Sequence, residues 1–344
     1  MTPTRDDTFR PVWWLRSPHL QSMLASSSLR RALRGHRTHR LERAAQPVTL
    51  DCGAGVRLTG SYTAQNVAPR ARGLVVLFHG WEGSTRSTYV LQNGARLLDE
   101  GWDVFRLNFR DHGGSHALNP GIFHSCRIDE VVGALRAVQQ RYAARPLALV
   151  GFSLGGSFAL RAALRAPAAG IQLARVIAVC PVIDPHSGLF RLEHAPRMYH
   201  DYFMWKWRRS LKAKQRVFPE VELFTQRDLR GGLRALTEAL VLKHTDFGSL
   251  DNYLDGYSVA GERLSGMRVP TSILAASDDP VCPVSDLDGL RLPACVEVSV
   301  TRRGGHCGFI RDWHLGSWAE DYIAARLAVL PERHATAAAE PSAA

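Results

Sequence analysis

The sequence predicts an α/β protein whose mostly parallel sheet carries helices on both faces. Three observations predict it. Apolar runs of strand length alternate with helix-length runs along most of the 344 residues, the rhythm breaks once between about 184 and 267, and a glycine-flanked serine stands between a strand-like and a helix-like run.

In chain order, residues 1–45 mix the aromatic anchors Phe9, Trp13 and Trp14 with basic residues, and are expected to form an N-terminal arm packed on the core. Residues 46–183 are the first part of that core. Two alternating runs from Val48 to Thr63 flank Gly53-Ala54-Gly55 and predict a hairpin. Strands follow over Gly73–Phe78, Trp102–Asn108, Leu147–Val150 and Arg175–Cys180, separated by helices over Thr88–Glu100, Ile128–Tyr142 and Ser157–Arg165. Residues 184–267, rich in tryptophan, tyrosine and charge, are expected to be a helical insertion where a lid would sit. Residues 268–330 complete the core with strands over Thr271–Ala275 and Cys295–Val300 and a helix over Ser317–Leu330. The Ala-, Pro- and Glu-rich tail, 331–344, is expected to be disordered.

Composition narrows the function classes. With 45% hydrophobic and 22% charged residues, the chain has the material for a large core. Its net charge of +11 comes from scattered arginines without zinc-finger spacing or an RNA-binding signature, so no specific nucleic-acid partner is expected. The charge concentrates in Arg30–Arg43 and in Lys206–Arg216 beside Trp205, Trp207 and Phe218, and such basic and aromatic segments suit peripheral contact with an anionic membrane surface. No run reads as a signal peptide or a membrane span, and the six cysteines lack paired spacing; a cytoplasmic setting with reduced thiols and no metal is expected.

The chemistry centres on Gly151-Phe152-Ser153-Leu154-Gly155. A serine on a sharp strand-to-helix turn holds its Oγ clear of the sheet, and small residues two positions either side relieve the crowding. A serine hydroxyl is nearly inert at neutral pH, so it needs an imidazole base, and the imidazole needs a carboxylate to fix its tautomer. After the last-but-one strand stands Ser277-Asp278-Asp279-Pro280, and after the last strand Gly304-Gly305-His306-Cys307-Gly308. Both therefore leave the sheet at the edge that carries Ser153. Of the fourteen histidines, His306 is the expected base. Asp279 is the expected acid, because Asp279-Pro-Val-Cys-Pro283 has the spacing common in that loop, while Asp278 should face away. The oxyanion needs two preorganised N–H donors, expected from the backbones of Leu154 and of Trp81 in His79-Gly80-Trp81-Glu82-Gly83. His112 and His124 are expected as satisfied structural histidines.

These residues resemble the YheT-like branch of the α/β-hydrolases, whose eukaryotic relatives include abhydrolase-domain lipases and plant embryogenesis-associated proteins. The resemblance runs from about Phe9 to about Leu330. It rests on Ser17-Pro-His-Leu-Gln-Ser-Met23, His79-Gly-Trp-Glu-Gly-Ser84, Phe123-His-Ser125, Gly151-Phe-Ser-Leu-Gly-Gly156, Asp278-Asp-Pro280 and Gly304-Gly-His-Cys-Gly-Phe309. Asp246-Phe247, Asn252-Tyr253 and Tyr257-Ser258 in the insertion are also similar to the family. The resemblance implies the α/β-hydrolase fold and a carboxylesterase or acylglycerol-lipase-like activity on a small-molecule or lipid ester, without cofactor. Asp111 departs from the family's usual glycine, Cys126 from its frequent glycine, and Trp81 from a common leucine. Acyl transfer through the same acyl-enzyme, or a non-catalytic, membrane-associated scaffold, are the competing readings.

Overall fold

Alternate residues of each central strand fill two different cores. In the strand Leu74–Phe78, Leu74, Val76 and Phe78 join one apolar cluster while Val75 and Leu77 join the other, as the period of two requires of a sheet covered on both faces. The computed structural model describes residues 3–142 and 146–329. The expected disordered tail, 331–344, lies outside the described residues.

The elements are β1 (Thr4–Asp6), α1 (Pro18–Ala25), α2 (Ser28–Arg43), β2 (Gln46–Asp51), β3 (Arg57–Thr63), β4 (Leu74–Phe78), α3 (Thr88–Asp99), β5 (Asp103–Asn108), α4 (Ile128–Arg141), β6 (Leu147–Phe152), α5 (Leu154–Arg165) and β7 (Leu173–Val179). Then come α6 (Pro185–His194), α7 (Arg197–Val217), α8 (Gln226–Arg230), α9 (Leu233–His244), α10 (Leu250–Tyr257), β8 (Thr271–Ala276), β9 (Val296–Thr301) and α11 (Trp318–Ala328). The sheet runs β1-β9-β8-β7-β6-β4-β5-β3-β2, parallel except where β3 pairs with β2 and β5. Helices α4 and α5 cover one face, and α3 and α11 the other.

From β4 the chain steps one way to β5 and then returns to the other side of β4 for β6. The loops after β4 and β6 therefore diverge from neighbouring strand ends, the place where open α/β sheets form their crevice.

Helices α6 to α10 build a third apolar cluster of their own around Trp207, Leu211, Phe224, Leu236 and Tyr253. Polar links tie it to the sheet loops. The buried Lys214 ammonium donates to Asp111 Oδ1 at 2.8 Å and to the carbonyls of His116 at 3.0 Å and Asn119. Tyr253 Oη accepts the Ser125 N–H at 2.9 Å, joining the insertion's family-like residues to the His-Ser segment.

The N-terminal arm contributes more than packing. It adds the ninth strand, β1, parallel to β9, which composition did not foreshadow because only three residues pair. Arg30 and Arg34 of α2 turn inward to Glu320 of α11 at 2.6 and 3.3 Å, so this part of the basic segment is internal and not an outward patch.

Candidate active site

Backbone geometry places the candidate nucleophile. Ser153 follows β6 with φ 55° and ψ −123° before α5 begins, a left-handed conformation that is costly for a side chain bearing Cβ and persists only under close constraint. The constraint is visible on both sides: a Cβ at Gly151 would lie 2.1 Å from the Gly155 carbonyl oxygen, and one at Gly155 would lie 2.3 Å from that of His79. The Ser153 N–H donates to the Val179 carbonyl at 2.9 Å, pinning the turn to β7.

Three strand ends bring the predicted residues together. His306 Nε2 lies 2.8 Å from Ser153 Oγ, and its Nδ1 lies 2.9 Å from Asp279 Oδ2. Asp279 Oδ1 accepts the Val281 and Cys282 N–H groups at 2.8 and 2.9 Å, fixing the carboxylate that faces the imidazole. Asp278 faces the other way: its Oδ1 accepts the Gly305 N–H at 2.9 Å and caps the histidine's loop, while Oδ2 is buried without a hydrogen-bond partner. Burial, with repulsion from Asp279, pushes the Asp278 carboxyl above its ordinary range against the pull of the Gly305 N–H. For His306, burial works against the charged ring, yet Asp279, with Cys307 and Cys282, outweighs it and holds the imidazole well above its ordinary 6.5.

The loop after β4 supplies the candidate oxyanion donors. Gly83 N–H closes a turn on the Gly80 carbonyl at 3.0 Å, leaving Trp81 as a central turn residue whose N–H the turn itself does not use. Leu154 is the first residue of α5, where the helix leaves its N–H groups unpaired. Gly80 holds the two loops together, since a Cβ there would sit 3.2 Å from the Ser153 Cβ. Tyr89 Oη accepts the Gly80 N–H at 2.8 Å, and burial pushes its phenol up to about 12. Sequence reading missed Tyr89, which sits in an ordinary helical run with no motif signal.

The Trp81 indole stacks on Phe203 at 5.6 Å and meets Trp207 edge-on at 5.4 Å, so the larger ring forms one aromatic wall with α7. The next carboxyl, Glu82, is largely covered and has φ 53°, and desolvation raises it to about 7. Its Oε1 lies 3.9 Å from His112 Nε2, a buried atom without a hydrogen-bond partner. His124 Nδ1 is likewise buried and unpartnered, so neither of the two expected structural histidines is fully satisfied, and His112 is held only through Nδ1 on the Arg110 carbonyl.

The arm's Ser17–Met23 motif carries a positioning role that spacing alone did not reveal. Ser22 Oγ accepts the His306 N–H at 2.8 Å and donates to the Pro18 carbonyl at 2.7 Å. The fully buried Gln21 donates to the carbonyls of Leu15 and Ile310, both at 2.8 Å, and accepts the Ile310 N–H at 2.6 Å. Gly305, with φ 54°, lies so close that a Cβ would approach the Pro18 carbonyl oxygen to 2.4 Å. The arm thus clamps the histidine's loop.

Among the described residues, two sets of metal-ligating atoms lie within 4.8 Å of one another: Cys180 with His306 and Cys307, and Asp279 with Cys282 and His306. Both share an imidazole already engaged by Ser153 and Asp279, so an ion in either set would compete with that relay.

Residues 73–312 match the family model of the alpha/beta hydrolase fold. The chain is similar to the protein named "Putative esterase YheT" of Escherichia coli (strain K12), 27% identical over 326 residues, covering 92% of this chain and 91% of that one. Among solved structures it is similar to 2,6-dihydroxy-pseudo-oxynicotine hydrolase, with TM-score 0.57 and 19% identity over 91% of this chain and 77% of that one. It is also similar to the Pyrococcus furiosus esterase Pf2001, with TM-score 0.53 and 15% identity over 95% and 96%. At these identities the two structures speak for the fold.

Proposed function

Because the chain belongs to the α/β-hydrolase fold family, we propose that it is a serine hydrolase of carboxylic esters, with Ser153 as nucleophile, His306 as base and Asp279 as orienting acid. One observation carries the reading: an unbroken hydrogen-bonded relay from Ser153 Oγ through both nitrogens of His306 to Asp279, at 2.8 and 2.9 Å. The likeness to YheT supports the esterase class.

In this reading Ser153 Oγ attacks the ester carbonyl carbon while His306 Nε2 takes its proton. The N–H groups of Trp81 and Leu154 receive the developing oxyanion. As the tetrahedral adduct collapses, the imidazolium returns the proton to the departing alcohol, leaving an acyl group on Ser153. Water, activated by the same imidazole, then releases the acid. The proposed substrates are short- to medium-chain acyl esters or acylglycerol-like lipids, and the aromatic wall of Trp81, Phe203 and Trp207 supports an apolar acyl portion. The proposed setting is cytoplasmic. No helix among the described residues is long and apolar enough to cross a membrane.

The test is hydrolysis of p-nitrophenyl esters of graded chain length, with fluorophosphonate labelling. Ser153→Ala should lose on the order of 10³ to 10⁶ fold in turnover and all labelling while keeping its fold. Undiminished turnover by the pure, folded variant overturns the reading.

A further inference from the structure

Helix α7 has two faces with different chemistry. Inward, Tyr199, Phe203 and Trp207 recur at intervals of four. Tyr199 Oη donates to the His19 carbonyl of the arm at 3.1 Å, and the other two rings wall the loop that holds Trp81. Outward, Trp205 is 56% exposed and Tyr202 47% exposed. The Arg209 guanidinium lies over the Trp205 ring at 5.6 Å and the Lys206 ammonium over Tyr202 at 5.3 Å.

The same outer face forms a groove of about 420 Å³ lined by Asp201, Trp205, Arg208, Arg209, Lys212 and Arg216, four cations against one carboxylate. Arg208 is partly used, donating to the Gly231 carbonyl at 2.8 Å. A second depression of about 280 Å³ shares Lys212 and Arg216 and continues over Leu211, Phe224 and Leu229. Cations and an exposed indole beside an apolar floor match an amphiphile with an anionic head. A nucleic acid or an acidic peptide would leave that floor unused. In the other basic segment Arg30 and Arg34 are buried against Glu320, and Arg31 and Arg40 are paired with Glu42 and Asp99, which leaves fewer cations for an anionic head.

We infer that the outer face of α7 docks on anionic phospholipid, with headgroup phosphates over Arg209, Lys212 and Arg216 and Trp205 at the level of the interface. Docking there sets the inner face of the same helix, and with it the Ser153 site, beside the lipid. The inference extends the esterase reading, but its test does not depend on catalysis.

The experiment is co-sedimentation of the full chain carrying Ser153→Ala with phosphatidylcholine vesicles, with and without phosphatidylglycerol. Binding should require the anionic lipid and weaken steeply as salt rises. Reversing Arg209, Lys212 and Arg216 to Glu should cut it by roughly tenfold or more, and Trp205→Ala by less. Reversing the exposed Arg10, Arg43 and Arg302 to Glu should leave most of the binding, and both triple variants should keep wild-type circular dichroism. Equal binding to neutral vesicles, equal loss from both triple variants, or binding to single-stranded DNA but not to vesicles overturns the inference. If Ser153→Ala proves fully active while α7-dependent docking persists, the esterase reading fails and the docking stands.

Discussion

The sheet edge that carries Ser153 and the helical insertion that faces it are held in place by different means. At the edge the backbone dictates position: Ser153, Glu82, Cys180 and Cys307 all have left-handed φ, and each lies in or beside a strand-end loop. In the insertion no described helix residue has positive φ, and position comes from side chains reaching far along the chain, above all Lys214 into the 111–119 loop. The difference teaches that the edge tolerates almost no substitution at its glycines, whereas the insertion depends on a few buried pairs that can be exchanged together.

Legibility followed the same division. Strand-end motifs announce themselves in sequence because a left-handed turn or a close approach demands glycine beside the candidate residue, and Ser153 and His306 were readable for that reason, whereas the Asp278-Asp279 pair was readable from its place after the last-but-one strand. Which aspartate faces the imidazole was readable from spacing and alternation. Tyr89, Ser22 and Lys214 were not, because each acts through a partner more than fifty residues away or through a backbone group that carries no side-chain signature. Asp111 shows the limit well. Its departure from the glycine that the resemblance implies was visible, and its φ of 60° is one that favours glycine, but nothing local announced that Lys214 would pair with it.

The largest effect should come from the edge. Asp279→Asn should cost up to ~10⁴ fold in kcat by favouring the wrong imidazole tautomer, and Asp278→Asn far less. A crippled Asp278→Asn beside a near-normal Asp279→Asn, both folded, reverses the assignment. The pH profile sharpens the point. Since Asp279 raises the His306 pKa, and only the neutral imidazole accepts the serine proton, wild-type kcat/KM should climb through a value above 6.5. Removing the carboxylate takes away the largest raising influence while desolvation stays, so that limb should move to lower pH in Asp279→Asn; an unmoved limb means that Asp279 does not face the titrating base.

Next in size is the insertion's buried pair. Lys214→Ala strands the Asp111 carboxylate in the interior and should cost about 3–5 kcal/mol, read by urea unfolding. Lys214→Met combined with Asp111→Gly removes both charges and gives a left-handed position its preferred residue, so most of that loss should return. A double variant no better than Lys214→Ala would show that the insertion is held by something other than this pair.

A smaller effect is expected where the two regimes meet, in the arm. Gln21→Ala leaves the Ile310 N–H and two carbonyls without their partner and should destabilise by roughly 1–3 kcal/mol. The Ser22→Ala variant keeps the fold but frees the His306 N–H, so it should lower kcat by roughly tenfold with little change in KM. An unchanged kcat would mean that the strand ends alone suffice to aim His306.

The clamp of Gln21 on Ile310 spans 289 residues, which orders events during synthesis. At roughly 5–20 residues per second, a ribosome needs about 15–60 s to deliver Ile310 after Gln21. Throughout that interval the arm waits without its partner, and β1 has no neighbouring strand to join. The histidine's loop closes onto a segment made 289 residues before its partner, so a nascent chain stalled before about residue 310 would carry a finished serine turn and no working base. Hydrolytic competence therefore arrives after the serine turn and the sheet around it exist.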